Sequence, residues 1–428
     1  MFNSKLSQQK KIMLAIFCLA IITRIVGPYF EETVFFKRPF LISGPKLFAH
    51  FKSDEIIYNF TAKALMEGKG FSLNFDQADQ AKQGCLEENY RDHFSKDLIY
   101  SVSVPAKGKD GYRAHRVVPP AYPIFLALCY LLFGINTLAY FIPQLIMGSL
   151  TCIFIFLTAD ELFNRKTAMI AGFLVALYPE LVFWTHMIRT ETLFIFLISL
   201  GFFLLIKGAI DNRSKLIYFG AGVISLASLT RITLLLFLPI IILWLYFINR
   251  DKKNVLVQVL ILLCIFSSLL LPWTLRNYLV FGKFTPLTSE AGIIMIDHIG
   301  VKNIDHTIGS FIPQFINYVS NNLYTYLILT AQRFIKYLSP ITSVMSTIPK
   351  IYKSITWIVI FPLSLIGFVV ASVKSWKKVS LMVIFILYYI FLHAAIHVDN
   401  GLVYRYPILP FLCIFSAYGY YYLLYERS

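Results

Sequence analysis

Asp54 stands in the string Ser53-Asp54-Glu55…Tyr58…Ala62…Leu65…Gly68-Lys69-Gly70, which reads as a short capped helix with the carboxylate in its first turn. The N-terminal helix dipole favours the ionised form there, leaving a group able to accept a proton or hold a metal. A solvated capping carboxylate is the plainer reading. Glu191 follows Arg189-Thr190 where one apolar run ends and the next begins, a depth at which charge without a role is costly. Pairing with Arg189 is its plainer reading. Arg231, Arg276 (after Pro272-Trp273) and Arg405 (in Tyr404-Arg405-Tyr406-Pro407) each fall at the mouth of an apolar run. One snorkelling arginine means little, but three guanidinium groups on a face shared with two carboxylates suit bidentate capture of a phosphate. His115-Arg116 places two more donors just before Pro119-Pro120, where headgroup contact is the plainer reading. His393 and His397 are spaced i, i+4 without the Glu of a zinc helix, and metal use is left open between none and a divalent ion.

The elements that must position these residues are membrane helices. The chain is 57% hydrophobic with a mean hydropathy of +0.67 and only 14% charged residues, far more apolar than a water-soluble domain needs. The formal charge of +16 is scattered through short connectors and forms no stripe, which argues against nucleic acid and for anionic headgroups or a phosphate-bearing substrate. Five cysteines lie in apolar runs and Cys85 in a loop, with no pair at metal-ligand spacing, so neither a disulfide framework nor a zinc site follows.

Apolar runs near 12–27, 137–158, 167–186, 191–207, 216–230, 231–248, 254–273, 354–373, 379–397 and 406–425 predict about ten transmembrane helices. The first ends in Gly-Pro without a cleavage site and is expected to stay as an anchor. Basic connectors at 165–166, 207–215, 250–253 and 374–378 alternate with less charged ones, which puts them and both termini in the cytoplasm. Pro119 to Gly134 is apolar enough to count as a further crossing, yet its roughly 15 helical residues reach only about 22 Å against a core of about 30 Å. Parity also opposes it, so it is expected as an interfacial helix on the outer surface. The expected architecture is an all-α integral membrane protein, one domain over 1–428, with two large extracytoplasmic loops at 28–136 and 274–353. Both loops contain interfacial helices, the second an amphipathic one from Phe315 to Leu338.

The order of these parts resembles the GT-C class of polyprenyl-phosphate-sugar glycosyltransferases, above all the branch with protein O-mannosyltransferases and lipid A aminoarabinose transferases. The resemblance rests on the Asp54-Glu55 string, on Pro119-Pro120-Ala121-Tyr122-Pro123 and on Thr190-Glu191-Thr192-Leu193-Phe194. It continues through Leu229-Thr230-Arg231, Pro272-Trp273-Thr274-Leu275-Arg276-Asn277-Tyr278 and Tyr404-Arg405-Tyr406-Pro407. It implies inverting transfer of a sugar from a lipid phosphate to a glycan, lipid or protein acceptor on the extracytoplasmic side of a bacterial-type plasma membrane. Asp54 would be the general base, with Glu191 a second catalytic carboxylate where the metal-using branch has an acid. Arg405, with Arg276 or Arg231, would hold the donor phosphate. Glu55, Tyr58, His115, Arg116 and Tyr404 would be substrate contacts. Val118 stands where the lipid A branch usually has Lys. The chain ends six residues after Tyr422, with no large soluble C-terminal domain, so a monosaccharide donor is expected.

A lipid or lipid-linked-sugar transporter is the rival reading, since membrane-embedded charge suits both. Paired broken helices in matching halves would signal it, and the carboxylates gather at one face instead of the midplane.

Overall fold

Inside a bilayer every backbone polar group must be satisfied within its own segment, so each apolar run closes its hydrogen bonds as a helix. The computed structural model describes residues 2–30, 53–74, 77, 103–105, 111–248, 252–282, 284, 308–339, 347–396 and 404–426. Helix α1 (Phe2–Phe30) is followed by α2 (Ser53–Met66) and by strands β1 (Ser72–Asn74), β2 (Ser103–Pro105) and β3 (Tyr112–His115). Then come α3 (Ala121–Phe133), α4 (Thr137–Leu162), α5 (Arg165–Leu177), α6 (Pro179–Phe183, extended by a 3-10 turn over Trp184–His186) and α7 (Thr190–Ile210). Helix α8 (Ser214–Ser228), a 3-10 segment (Ile232–Phe237), α9 (Leu238–Ile248) and α10 (Lys252–Phe281) complete the middle of the chain. The last part holds α11 (Ile308–Asn321), α12 (Leu323–Leu338), α13 (Thr347–Ile396), a 3-10 turn (Tyr406–Ile408) and α14 (Leu409–Tyr425).

The protein is an integral membrane protein. Among the described residues five helices are long and apolar enough to cross a bilayer: 137–162, 190–210, 256–281, 353–395 and 406–425. The bent pair α5 and α6 makes a sixth if it counts as one span. The remaining expected runs also fall on helices, with α1 over the first and the shorter α8 and 3-10/α9 segments over 216–230 and 231–248. Helix α13 joins two expected crossings, and Ser375 leaves helical geometry (φ −144°, ψ 36°) at the basic connector between them. Helix α3 has 13 residues and so extends only about 20 Å. Two side-chain caps mark where spans begin: the Asn136 side chain accepts from the Ala139 amide and that of Asn164 from the Thr167 amide, each at 3.0 Å.

Two features differ from the sequence expectation. Within the described part of the first loop, β1, β3 and β2 form a three-stranded antiparallel sheet, pairing Leu73 with Arg113 and Val104 with Ala114. Strands of three or four residues are too short for an alternation signal to emerge. The single amphipathic helix expected over 315–338 is two helices, α11 and α12, parted at Asn322, whose ψ of 31° interrupts the ladder. Residues 31–52 and 78–102 of the first loop and 285–307 of the second lie outside the described residues.

Aromatic stacking and glycine crossings close the bundle. The Phe202 ring of α7 meets Phe237 at 6.1 Å, Phe385 of α13 at 4.9 Å and Phe411 of α14 at 4.8 Å. Helices α13 and α14 touch backbone to backbone where Gly367 faces the Phe415 carbonyl and Gly419 the Leu363 carbonyl. A Cβ at either glycine would overlap main chain that has no rotamer to escape into, as in small-residue crossings between membrane helices. Gly367→Leu is therefore expected to separate the pair and destabilise the fold by roughly 3 kcal/mol, read as an earlier thermal transition in detergent. An unchanged transition would show that the crossing has slack.

The bundle has two chemically distinct ends. One carries exposed or half-exposed ion pairs, Arg165 with Asp160 at 2.8 Å, Lys207 with Glu161 at 2.5 Å and Lys374 with Glu426 at 2.7 Å. Such pairs contribute little stability. The other carries α2, the sheet, the start of α7, the end of α8 and the start of α14, and there Glu55, Glu191 and Arg405 are buried.

Candidate functional site

Helix α2 is built to be held still. Tyr130 donates to the Asn59 side chain at 2.9 Å, and the Thr61 hydroxyl lies 2.9 Å from His115 Nε2, tying the helix to α3 and β3. It ends at Gly68, whose φ of +68° suits glycine and turns the chain into β1. Asp54 occupies its first turn, and the Asp54 side chain lies outside the described residues. Its neighbour Glu55 is 2% exposed and accepts from Arg189 Nε at 3.4 Å, which fastens the start of α2 against the start of α7.

Arg189 is the residue before α7, so its side chain leaves the helix and reaches α2, its guanidinium 5.4 Å from the Trp184 ring. The pairing of Arg189 with Glu191 is therefore not the one the protein makes. Glu191, 2% exposed in the first turn of α7, instead accepts at Oε1 from Arg231 Nη2 at 2.9 Å, while Arg231 Nε donates to the Thr190 hydroxyl at 3.1 Å. Glu191 Oε2 has no donor among the described residues. Around this pair, Arg231 lies 5.8 Å from the Phe194 ring and 6.0 Å from that of Tyr404, and Tyr58 is near enough to interact with it electrostatically. Tyr404 stacks on His393 at 4.7 Å, and Tyr58 packs edge-on against Tyr122 at 5.1 Å.

Arg405 is 1% exposed. Its Nη1 donates to the Tyr337 and Ser339 carbonyls at 3.2 and 2.9 Å, and its guanidinium lies 3.9 Å from the Trp357 ring centre. Among the described residues its Nε has no acceptor and no carboxylate stands within ion-pair distance of it. A buried guanidinium with carbonyl partners and no direct counter-charge is suited to an anionic ligand.

Arg276 and His115 belong to a separate cluster. Arg276 donates to the His115 and Phe71 carbonyls at 2.9 and 2.8 Å and packs against Trp273 at 4.9 Å, so it staples α10 to the sheet. Arg116 lies 4.9 Å from the Phe281 ring. His115 is fully buried, and burial, followed by the Arg276 charge, lowers its pKa to about 3, so the ring stays neutral at working pH. The structure thus brings together Glu55, Tyr58, Glu191, Arg231 and Tyr404, with Arg405 next in sequence to Tyr404. It sets His115, Arg116 and Arg276 apart in a packing role. Among the described residues no three His, Cys, Asp or Glu side chains gather as a metal site.

Sequence reasoning passed over Arg189 as a partner of Glu55, and it passed over Glu180. The latter is 2% exposed at the start of α6, beside the break where α5 and α6 bend by 57°. The available signal was the proline followed by an acid, Pro179-Glu180, inside an apolar run expected to be continuous.

Similarity to known proteins enters on this geometry. A family model described as dolichyl-phosphate-mannose-protein mannosyltransferase matches residues 117–273, the stretch from the approach to α3 through most of α10. No curated protein sequence matches the chain. Among solved structures, the apo oligosaccharyltransferase of Archaeoglobus fulgidus superposes with a TM-score of 0.59 at 12% identity, over 98% of this chain and 51% of that one. The chain carries the GT-C fold. The same archaeal enzyme, AglB, in complex with an inhibitory peptide and a dolichol-phosphate superposes with a TM-score of 0.58 at 11% identity, over 99% of this chain and 51% of that one. The chain spans about half the length of these structures, and at such identity the likeness concerns the fold.

Proposed function

We propose that this GT-C protein is a glycosyltransferase that moves a sugar, with inversion, from a polyprenyl-phosphate donor to an acceptor hydroxyl or amine at the extracytoplasmic face. The observation that carries the reading is the presence of two partly buried acid–arginine pairs, Glu55 with Arg189 and Glu191 with Arg231, at the bundle end where α2 begins with Asp54 in its first turn. Asp54 takes the acceptor proton as the acceptor attacks the anomeric carbon, and the lipid phosphate leaves already ionised, so one base suffices. Arg405 meets the charge that develops on that phosphate, because its own charge has no direct ion-pair partner. Arg231 stands second, its charge shared with Glu191, and Arg276 fastens α10 to the small sheet. Glu55, Tyr58 and Tyr404 line the approach. The family model, described for a dolichyl-phosphate-mannose enzyme, and the dolichol-phosphate bound by the archaeal relative both support a lipid-phosphate donor. The acceptor is a protein, glycan or lipid. The basic connectors at the opposite end support a cytoplasmic placement of that end and of both termini.

The test supplies purified protein with polyprenyl-phosphate sugars and follows release of lipid phosphate. Consumption of the lipid-linked sugar is expected. Movement of labelled lipid across the membrane without consumption would replace this reading with transport.

Glu191 is the second carboxylate a divalent ion would need beside Asp54, but Arg231 donates to it at 2.9 Å, and a guanidinium so close repels a dication. Turnover is accordingly expected to withstand chelation by EDTA. Activity lost with EDTA and restored by a divalent ion would place a metal between Asp54 and the free oxygen of Glu191.

A further inference from the structure

We infer that Glu180 sets how tightly the lipid phosphate is held: its buried carboxylate lowers the positive potential at Arg405, so that the phosphate left after sugar transfer can depart. This rests on the reading of Arg405 as the donor-phosphate residue.

Glu180 is 2% exposed, and an acid so placed in a membrane bundle is rare without a function. It enters the interior because the span is broken: Pro179 lacks an amide hydrogen, the chain bends by 57°, and α6 restarts with Glu180 in its first turn. Trp184, one turn on from Glu180, packs its ring 5.4 Å from that of Tyr406, the neighbour of Arg405, and the charges acting on Glu180 are those of Lys353 and Arg405. Among the described residues its Oε2 has no hydrogen-bond donor, just as Arg405 Nε has no acceptor, and the two side chains form no direct ion pair. The interaction is therefore through space, or through a water satisfying both orphaned atoms.

Orientation of Arg405 does not depend on Glu180. Two carbonyls, from Tyr337 and Ser339, and the face of Trp357 already fix the guanidinium. The carboxylate changes only its charge environment. A guanidinium 1% exposed and without counter-charge would bind a phosphate tightly enough to retain the product, since charges interact strongly where water is excluded. An acid that acts without pairing directly weakens that grip while leaving Nε available to the ligand.

The experiment measures binding of polyprenyl monophosphate and of polyprenol, the uncharged lipid, to the purified full chain, without turnover. Glu180→Gln is expected to bind the phosphate about five- to tenfold more tightly and the alcohol unchanged, with KM and kcat for sugar transfer falling together. In an Arg405→Gln background the same substitution is expected to change phosphate affinity by less than about twofold. Phosphate affinity that is unchanged or weaker in Glu180→Gln, or that tightens equally without Arg405, overturns the inference. Should Glu180→Gln fail to fold, Glu180→Asp keeps the charge but draws it back one methylene, and a smaller tightening is expected; weaker binding there overturns the inference equally. Wild-type protein that binds polyprenol as well as the phosphate would instead remove the donor reading itself.

Discussion

Asp54→Asn is expected to lower sugar transfer by about a hundred- to ten-thousandfold, the range a positioned general base contributes, while binding of the lipid donor stays near its wild-type value. The substitution keeps shape and hydrogen-bonding capacity and removes only the ability to take a proton. Helix α2 should be undisturbed, because what fixes it lies elsewhere: Glu55 on Arg189, Asn59 under Tyr130 and Thr61 beside His115. The measurement is single-turnover release of lipid phosphate with saturating donor. A rate within about threefold of wild type would take Asp54 out of the base role. Glu55→Gln serves as the comparison. Its carboxylate already accepts from Arg189, so its loss should lower thermal stability and leave far more activity than Asp54→Asn does.

Glu191→Ala should be the most damaging single change to stability within the site, at about 3–5 kcal/mol. Glu191 is 2% and Arg231 15% exposed at the side chain, so neither charge is relieved by water, and removing the acid leaves Arg231 buried beside Phe194 and Tyr404 without its partner. Removing both charges as Glu191→Gln with Arg231→Met should recover most of that stability, since an apolar replacement of a buried pair is often neutral. Activity should not return with it, because the proposed mechanism uses Arg231 as the second cation near the donor phosphate. Thermal unfolding in detergent with and without polyprenyl phosphate reads both parts. If the double variant is as unstable as Glu191→Ala, the loss comes from packing and not from the unpaired charge.

Several parts of this picture were legible along the chain. The apolar runs, the helix at α2 and the short α3 follow from local composition, because hydrocarbon solvent forces helix on any segment that crosses it. The clustering of Asp54, Glu191, Arg231 and Arg405 at one end was readable as well, from nothing more than alternating basic connectors. The small sheet was not, since its pairing joins residues 72–74 to 112–115 and 103–105 across long separations. Nor was the break at Asn322, where the amphipathic period runs on but the backbone does not.

What the residues do to one another was decided only by the tertiary structure. Arg189 and Glu191 are two positions apart and look like partners, yet successive positions at a helix start point to different faces, so each pairs elsewhere. Three mouth arginines look equivalent in sequence. In the fold Arg231 is neutralised by Glu191, Arg276 is occupied by carbonyls of the first loop, and Arg405 has no direct ion-pair partner among the described residues. Composition and spacing determine which segments enter the membrane and on which end their charges emerge, because transfer free energy is a property of the segment itself. Which charge meets which is a property of distance and burial, and those exist only once the helices have packed.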